Sequence, residues 1–220
     1  MINFYNCDCM DFMRNKPDKF YKLAIVDPPY GLGSMSHGLG TKVKHKRKHW
    51  NDNPPNNKYF KELRRISFNQ IIWGCNYFYP NIPESGRIVH NKLMTSGNGC
   101  PIKLSEADLA SQTFNKRIDL FTYQWSGNVQ NGKINWNNTG LDARIHPTQK
   151  PIALYRWLLQ KYTKPGDNIF DSHGGSMSIA IACDMEGFDL DICEIDKEYF
   201  DAGVKRFNIY KQQKVIDFNI

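Results

Sequence analysis

The chain has 220 residues, 40% apolar and 13% aromatic, enough for a sizeable core in one large domain or one domain with insertions. No apolar run reaches the roughly 18 residues of a membrane span, and no signal peptide follows Met1, so no membrane partner and a cytoplasmic location are expected. A net charge of +7 suits an anionic partner, and six cysteines (Cys7, Cys9, Cys75, Cys100, Cys183, Cys193) without CxxC spacing read as reduced thiols, not zinc ligands or disulfides.

Ile2 to Met13 reads as a short strand and a helix start, with Asp8 placed to cap the helix. Leu23 to Val26 is an unbroken apolar run that meets Asp27-Pro28-Pro29-Tyr30, a pattern for a strand buried on both faces. Neither proline donates to a ladder, and each holds the residue before it extended. A stiff loop at the carboxyl end of a central strand is where open α/β sheets bind ligands. Asp27 and the Pro28 carbonyl offer two acceptors and Tyr30 a stacking face, which together suit a planar ring bearing an amine.

Residues 33–57 form a glycine-rich loop insertion carrying Lys42, Lys44, Lys46, Arg47 and Lys48, where the net charge is concentrated. A long cationic loop beside a reactive loop suits a mobile arm gripping phosphates. His45 and His49 share a helical spacing but have no third ligand, so no metal is expected. Lys58 to Phe78 reads as helix then strand, with the strand over Gln70 to Trp73, and Arg87 to His90 reads as another strand. A helix is expected near Leu104 to Ser111 and a strand near Leu120 to Trp125. Pro151 opens a helix whose stripe is Leu154, Trp157, Leu158 and Tyr162. Asn168 to Phe170 is a strand, Gly174 and Gly175 a tight turn, and Ser176 or Ser178 a cap for a helix to about Met185. Phe188 to Cys193 is the next strand, ending at Glu194. Strand, glycine turn, helix, strand and acid form a nucleotide-binding βαβ unit, with Glu194 as the acceptor for ribose hydroxyls.

Three stretches together resemble the amino-group DNA methyltransferases, small or phage-type: DPPY at 27–30, HPTQKP at 146–151 and NIFDSHGGSMS at 168–178. The resemblance implies S-adenosylmethionine as cofactor and double-stranded DNA as partner. It implies a Rossmann-like α/β three-layer sandwich, mostly parallel with one antiparallel strand. The order, catalytic motif before cofactor motif, is the circularly permuted β-type. Asp27, Pro28, Pro29 and Tyr30 are then catalytic. Asp8, Thr148, Lys150, Asp171, His173, Gly174, Gly175, Ser176 and Glu194 contact the cofactor, with Asp8 near its adenine and the HPTQKP stretch at its methionine end. His173 stands where the family has an aromatic residue and reads as its packing substitute. Met177 replaces a usual glycine, where a long side chain would crowd the cofactor. Residues 95–140 correspond to a small target-recognition segment, in which Trp125, Trp136 and Arg144 either touch DNA or pack.

The expected protein is therefore a single methyltransferase domain over residues 1–220 that methylates N6 of a flipped adenine. Adenine is favoured because Asp, not Ser, opens the motif. Cytosine N4 is the alternative. A DNA-binding protein with a decayed cofactor site is the alternative of another class, motivated by Ser172, His173 and Met177. Methylation of RNA or of a protein glutamine is a further reading. The recognition sequence and the oligomeric state are not legible.

Overall fold

The computed structural model describes all residues except 34–52, 83–84, 95–104, 127–128, 132, 136–137 and 218–220. An eight-stranded sheet is its centre. In chain order the strands are β1 (Ile2–Tyr5), β2 (Tyr21–Val26), β3 (Ser67–Trp73), β4 (Gly86–Asn91), β5 (Ala107–Gln112), β6 (Ile118–Thr122), β10 (Asn168–Asp171) and β11 (Asp189–Cys193). Three two-residue strands, β7 (Trp125–Ser126), β8 (Val129–Gln130) and β9 (Lys133–Ile134), form a separate small sheet. The helices are α1 (Cys9–Arg14), α2 (Asn57–Ile66), α3 (Ile152–Tyr162), α4 (Ser178–Glu186) and α5 (Lys197–Asp217).

The spatial order is β1-β11-β10-β2-β3-β5-β4-β6. Every neighbouring pair is parallel except those of β5, which runs antiparallel to both β3 and β4. Successive residues of β2 face opposite sides, as the period of a strand requires. Leu23 and Ile25 pack with Leu154 and Leu158 of α3 and with α4. Ala24 and Val26 pack with Met13 of α1 and with Phe60 and Leu63 of α2. Both faces of the sheet are therefore covered, which explains the unbroken apolar run. Among the described residues no helix is long and apolar enough to cross a membrane.

Asp8 caps α1, its side chain accepting from the Met10 N–H, as its position before the helix predicts. One element differs from expectation. The stretch near Leu104 to Ser111 reads as helix, but Ala107–Gln112 is β5. Ladders on both sides override the local helical preference, because Ala110, Ser111 and Gln112 are buried there. Ala107–Gln112 and Ile118–Thr122, both within the segment expected to recognise the target, thus lie in the main sheet.

The cap of α4 also differs. Met177, and neither serine, is its N-cap, in the left-handed region at φ 57° with no side-chain cap bond. Its side chain is fully buried. It lies between two glycines: an added Cβ on Gly174 of the turn would be 2.7 Å from the Met177 Sδ, and one on Gly203 of α5 would be 2.3 Å from the Met177 Cγ. Gly203→Ala should overpack this contact at a cost of about 1–3 kcal/mol, only partly offset by the better helix propensity of alanine. Thermal unfolding would show a lowered Tm, recovered in part by Gly203→Ala with Met177→Ala. An unchanged Tm in the single variant would mean that Met177 is free to move.

Candidate active site

β2 ends at Val26, and its loop sets Asp27 beside two other predicted residues. Asp27 Oδ1 accepts from the Tyr30 hydroxyl at 2.5 Å, and Oδ2 from the Lys150 ammonium at 2.7 Å. Lys150 is 6% exposed and Asp27 16%, so this is a buried ion pair. Lys150 Nζ is also 3.5 Å from the Tyr30 hydroxyl and 5.3 Å from the centre of the Trp73 ring. Burial opposes the Lys150 charge, but Asp27 and then Asp108 outweigh it and hold the ammonium well above its ordinary range. The structure thus places Lys150 on the acid of the Asp-Pro-Pro-Tyr loop, 123 positions away in the chain.

The loop carrying Lys150 is fixed from below. Trp125 Nε1 donates to the Gln149 carbonyl at 2.7 Å, and the Gln149 side chain donates to the Ala143 carbonyl and accepts from the Ile145 N–H. Trp125 is buried, and the half-buried Arg144 donates to the Pro147 carbonyl. Trp136 lies outside the described residues, as do Lys42, Lys44, Lys46, Arg47 and Lys48.

Tyr30 lies against a backbone that only glycine permits. A Cβ on Gly74, at φ +70°, would be 2.1 Å from the Tyr30 ring. Tyr77 stacks on Tyr30 with ring centres 5.0 Å apart and planes 17° from parallel, and Phe78 meets it edge-on. Burial, then Asp27, pushes the Tyr30 hydroxyl well above its ordinary range, so it acts as a donor.

The glycine turn follows β10, the strand beside β2. Glu194, 8% exposed at the end of β11, accepts from the Gly175 N–H through Oε2 and from the Asp196 N–H through Oε1, both at 2.8 Å. Gly174 donates to the Cys193 carbonyl, and the Ser176 carbonyl accepts from Arg206. A Cβ on Gly175 would lie 3.6 Å from the His146 ring, so the HPTQKP loop packs over the turn. Thr148 is exposed, its hydroxyl 3.2 Å from His146 Nδ1. Ser172 links Tyr59 of α2, at 2.7 Å, to His173 Nδ1, at 2.8 Å. Tyr59 meets the His173 ring edge-on. Asp8 is exposed, and its charge acts on His173.

Asp171 is fully buried and accepts from the His173 N–H. Burial, against that N–H and with Asp27 and Glu194 adding to it, pushes its carboxyl up to about 8. Burial pushes His173 down to about 4. These shifts act oppositely on stability. Folded Asp171 binds more protons than unfolded, so its contribution falls as pH rises from about 4 to about 8. Folded His173 binds fewer, so its contribution rises with pH from about 4 to about 6.5. The slopes cancel below about pH 6.5, and above it stability should fall by about 1–2 kcal/mol towards pH 8. Denaturant unfolding of Asp171→Asn across this range should show the fall removed; an equal fall in the variant would place its origin elsewhere.

Acids from the ends of β10 and β11 therefore hold one glycine turn, and β2, which leads to Asp27, pairs with β10. This acceptor set fits a cationic ligand carrying ribose hydroxyls, because Glu194 is an acceptor held rigid by the Gly175 and Asp196 N–H groups. A family model described as DNA methylase matches residues 90–205, the part of the chain that holds the glycine turn and Glu194. The chain belongs to the DNA methylase family. This methylase is 24% identical to YubD of Escherichia coli (strain K12) over 94% of its own length and 90% of that protein's. It is 34% identical to the type II methyltransferase M.Cfr9I of Citrobacter freundii over 41% of its length and 33% of that enzyme's. Its fold matches the M1.HpyAVI–SAM complex at TM-score 0.59 and 18% identity, over 94% of this chain and all of that one. It also matches the cytosine-N4-specific PvuII DNA methyltransferase at TM-score 0.63 and 14% identity, covering 94% and 86% of the two chains.

Sequence reasoning missed four residues of this methylase's site region. Gly74, Trp73 and Tyr59 looked like ordinary element residues. Asp108 lay in a stretch read as helix; as part of β5 it stands cross-strand from His90. Its carboxylate is 3.1 Å from Lys92 Nζ and 3.7 Å from His90 Nδ1. Only the pairing of β4 with β5 brings it there.

Proposed function

We propose that this methylase transfers a methyl group from S-adenosylmethionine to the exocyclic amino group of a flipped DNA base, with adenine N6 as the acceptor. The observation that carries this reading is the placement of Asp27 and the Glu194-braced glycine turn at the ends of adjacent parts of one sheet, close enough that Asp27 and Glu194 both raise Asp171. The cofactor supplies an electrophilic methyl on a sulfonium. The chain's own residues do the rest. Glu194 and the glycine turn receive the nucleoside part, and Asp8 flanks it. Asp27 and the Pro28 carbonyl accept the amino hydrogens, which turns the nitrogen lone pair away from the ring and opposes the positive charge it gains until one of those hydrogens leaves as a proton to water. Proximity and in-line approach lower the barrier further. The base is out of reach inside a duplex, so it is flipped and takes the stacking position on Tyr30 that Tyr77 now holds. The cations from Lys42 to Lys48 bind phosphate and supply affinity, not choice of base.

The test is to incubate the protein with plasmid DNA and methyl-labelled S-adenosylmethionine and to separate the nucleosides. N6-methyladenine is the expected product. N4-methylcytosine would move the acceptor to the other base. No label in DNA, with cofactor binding absent by calorimetry, would favour a DNA-binding protein with a decayed site. Label in RNA or protein alone would overturn the substrate class.

A further inference from the structure

Four charged side chains stand in a row of alternating sign behind the catalytic loop. Lys92 Nζ is 3.1 Å from Asp108 Oδ1, and Lys150 Nζ is 2.7 Å from Asp27 Oδ2. The two pairs face each other across the end of the sheet. Trp73 of β3 pairs with Ala110 of β5, and Asp108 lies two residues along on the same face. Lys150 sits over the Trp73 ring. Lys150 and Asp108 each shift the other's titration, and Asp108 also acts on Tyr30. All four are well covered, the most open being Asp108 at 26%.

We propose that Asp108 is a positioning residue for the methyl transfer, acting through Lys150. The inference rests on the reading of Asp27 as the acceptor for the amino hydrogens. An ammonium bound to Asp27 alone would be drawn onto it and would weaken it as an acceptor, besides repelling a nitrogen that gains positive charge. A second carboxylate on the far side of the ammonium opposes both effects. Lys150 then orients Asp27 without neutralising it, and Lys92 holds Asp108 in turn. This assigns Lys150 to the catalytic acid and not to the methionine end of the cofactor.

The groups facing the row are Asp27 and Tyr30 after β2, His90 and Lys92 on and after β4, Asp108 on β5, Tyr155 on α3 and Asp171 on β10. Burial raises Asp108, but the Lys150 ammonium, His90 and Lys92 bring its carboxyl well below the usual range. Without Lys150, Asp27 and Asp108 are like charges with no cation between them, which disfavours their joint ionisation.

The experiment is a double-mutant cycle with Asp108→Asn and Lys150→Met, read as single-turnover methyl transfer at saturating DNA and cofactor across pH. Asp108→Asn alone should slow transfer by about tenfold while cofactor affinity stays within about twofold. Lys150→Met should move the acidic limb of the pH profile upward, with activity returning in alkali. In the Lys150→Met background, Asp108→Asn should raise the neutral-pH rate, because it removes a like charge. A reversal of sign is something loss of packing does not produce. An equal loss from Asp108→Asn in both backgrounds, or a Lys150→Met defect confined to cofactor affinity, would overturn the proposal. The same proteins give a readout that needs no activity: the Asp108 carboxyl titration followed by carbon NMR. It should move upward by at least about one unit in Lys150→Met, and an unmoved titration would overturn the row. If the unaltered protein methylates nothing, the proposed function fails while this titration still decides the coupling.

Discussion

Asp27→Ala should lower turnover at saturating substrates by at least ~100-fold, about 2.7 kcal/mol or more, the range for removal of one transition-state hydrogen-bond partner. The carboxylate ends β2 and is held by Tyr30 on one oxygen and Lys150 on the other. An ionised carboxylate has further lone pairs on both oxygens, so these two donors leave room for an amino hydrogen. Cofactor affinity should change by less than about threefold, since Glu194 and the glycine turn are untouched. Because the substitution also strips a partner from buried Lys150, Asp27→Asn is the companion variant. It keeps a carbonyl acceptor and most of the packing, and its loss should be smaller than that of Ala. Single-turnover rates with calorimetric cofactor binding make the measurement. Near-normal turnover by Asp27→Ala would remove Asp27 from the chemistry. Equal collapse of rate and cofactor binding would make it a structural residue.

Gly74→Ala should be the most damaging small substitution in the site. The added methyl would lie 2.1 Å from Tyr30 Cε1 and 2.6 Å from two further ring atoms. The residue also sits at φ +70°, which an L side chain adopts only with strain. Overpacking and strain together should cost about 2–4 kcal/mol, a fall in Tm of about 5–15 °C for a chain of this size. Tyr30 has to leave its place, so the bond from its hydroxyl to Asp27 breaks and turnover falls with stability. Gly74→Ala combined with Tyr30→Ala should recover much of the Tm and none of the turnover, which separates the clash from the chemistry. A single variant within about 2 °C of the parent would show that the ring moves aside at little cost.

The amino-acid sequence by itself determined the elements whose signals are local. Leu23 to Val26 is apolar at every position because its strand is covered on both faces, and two prolines end it; both facts act within a few residues. The βαβ unit from Asn168 to Glu194 is equally legible, since a glycine turn, a helix of small apolar residues and a following strand form one continuous piece of chain. The place of Asp8 before α1 follows from cap chemistry in the same way. The parallel sheet with one antiparallel strand was also expected, through the resemblance carried by those motifs and their order.

Tertiary structure decided what depends on pairing across long stretches of chain. Ala107 to Gln112 carries a helical local preference and becomes β5 because two strands flank it, which in turn puts Asp108 in the site region. Met177 looks like an obstruction in sequence; the absence of a side chain at Gly203, 26 positions later, lets it turn into the core. Lys150 reads as part of a cofactor-lining motif, but the packing of α3 and the Trp125 bond to the Gln149 carbonyl carry its ammonium to Asp27. A buried ammonium stays charged only beside opposite charge, and which carboxylates provide it is set by the folded geometry: spacing along the chain records neither Asp27 nor Asp108 as its partner.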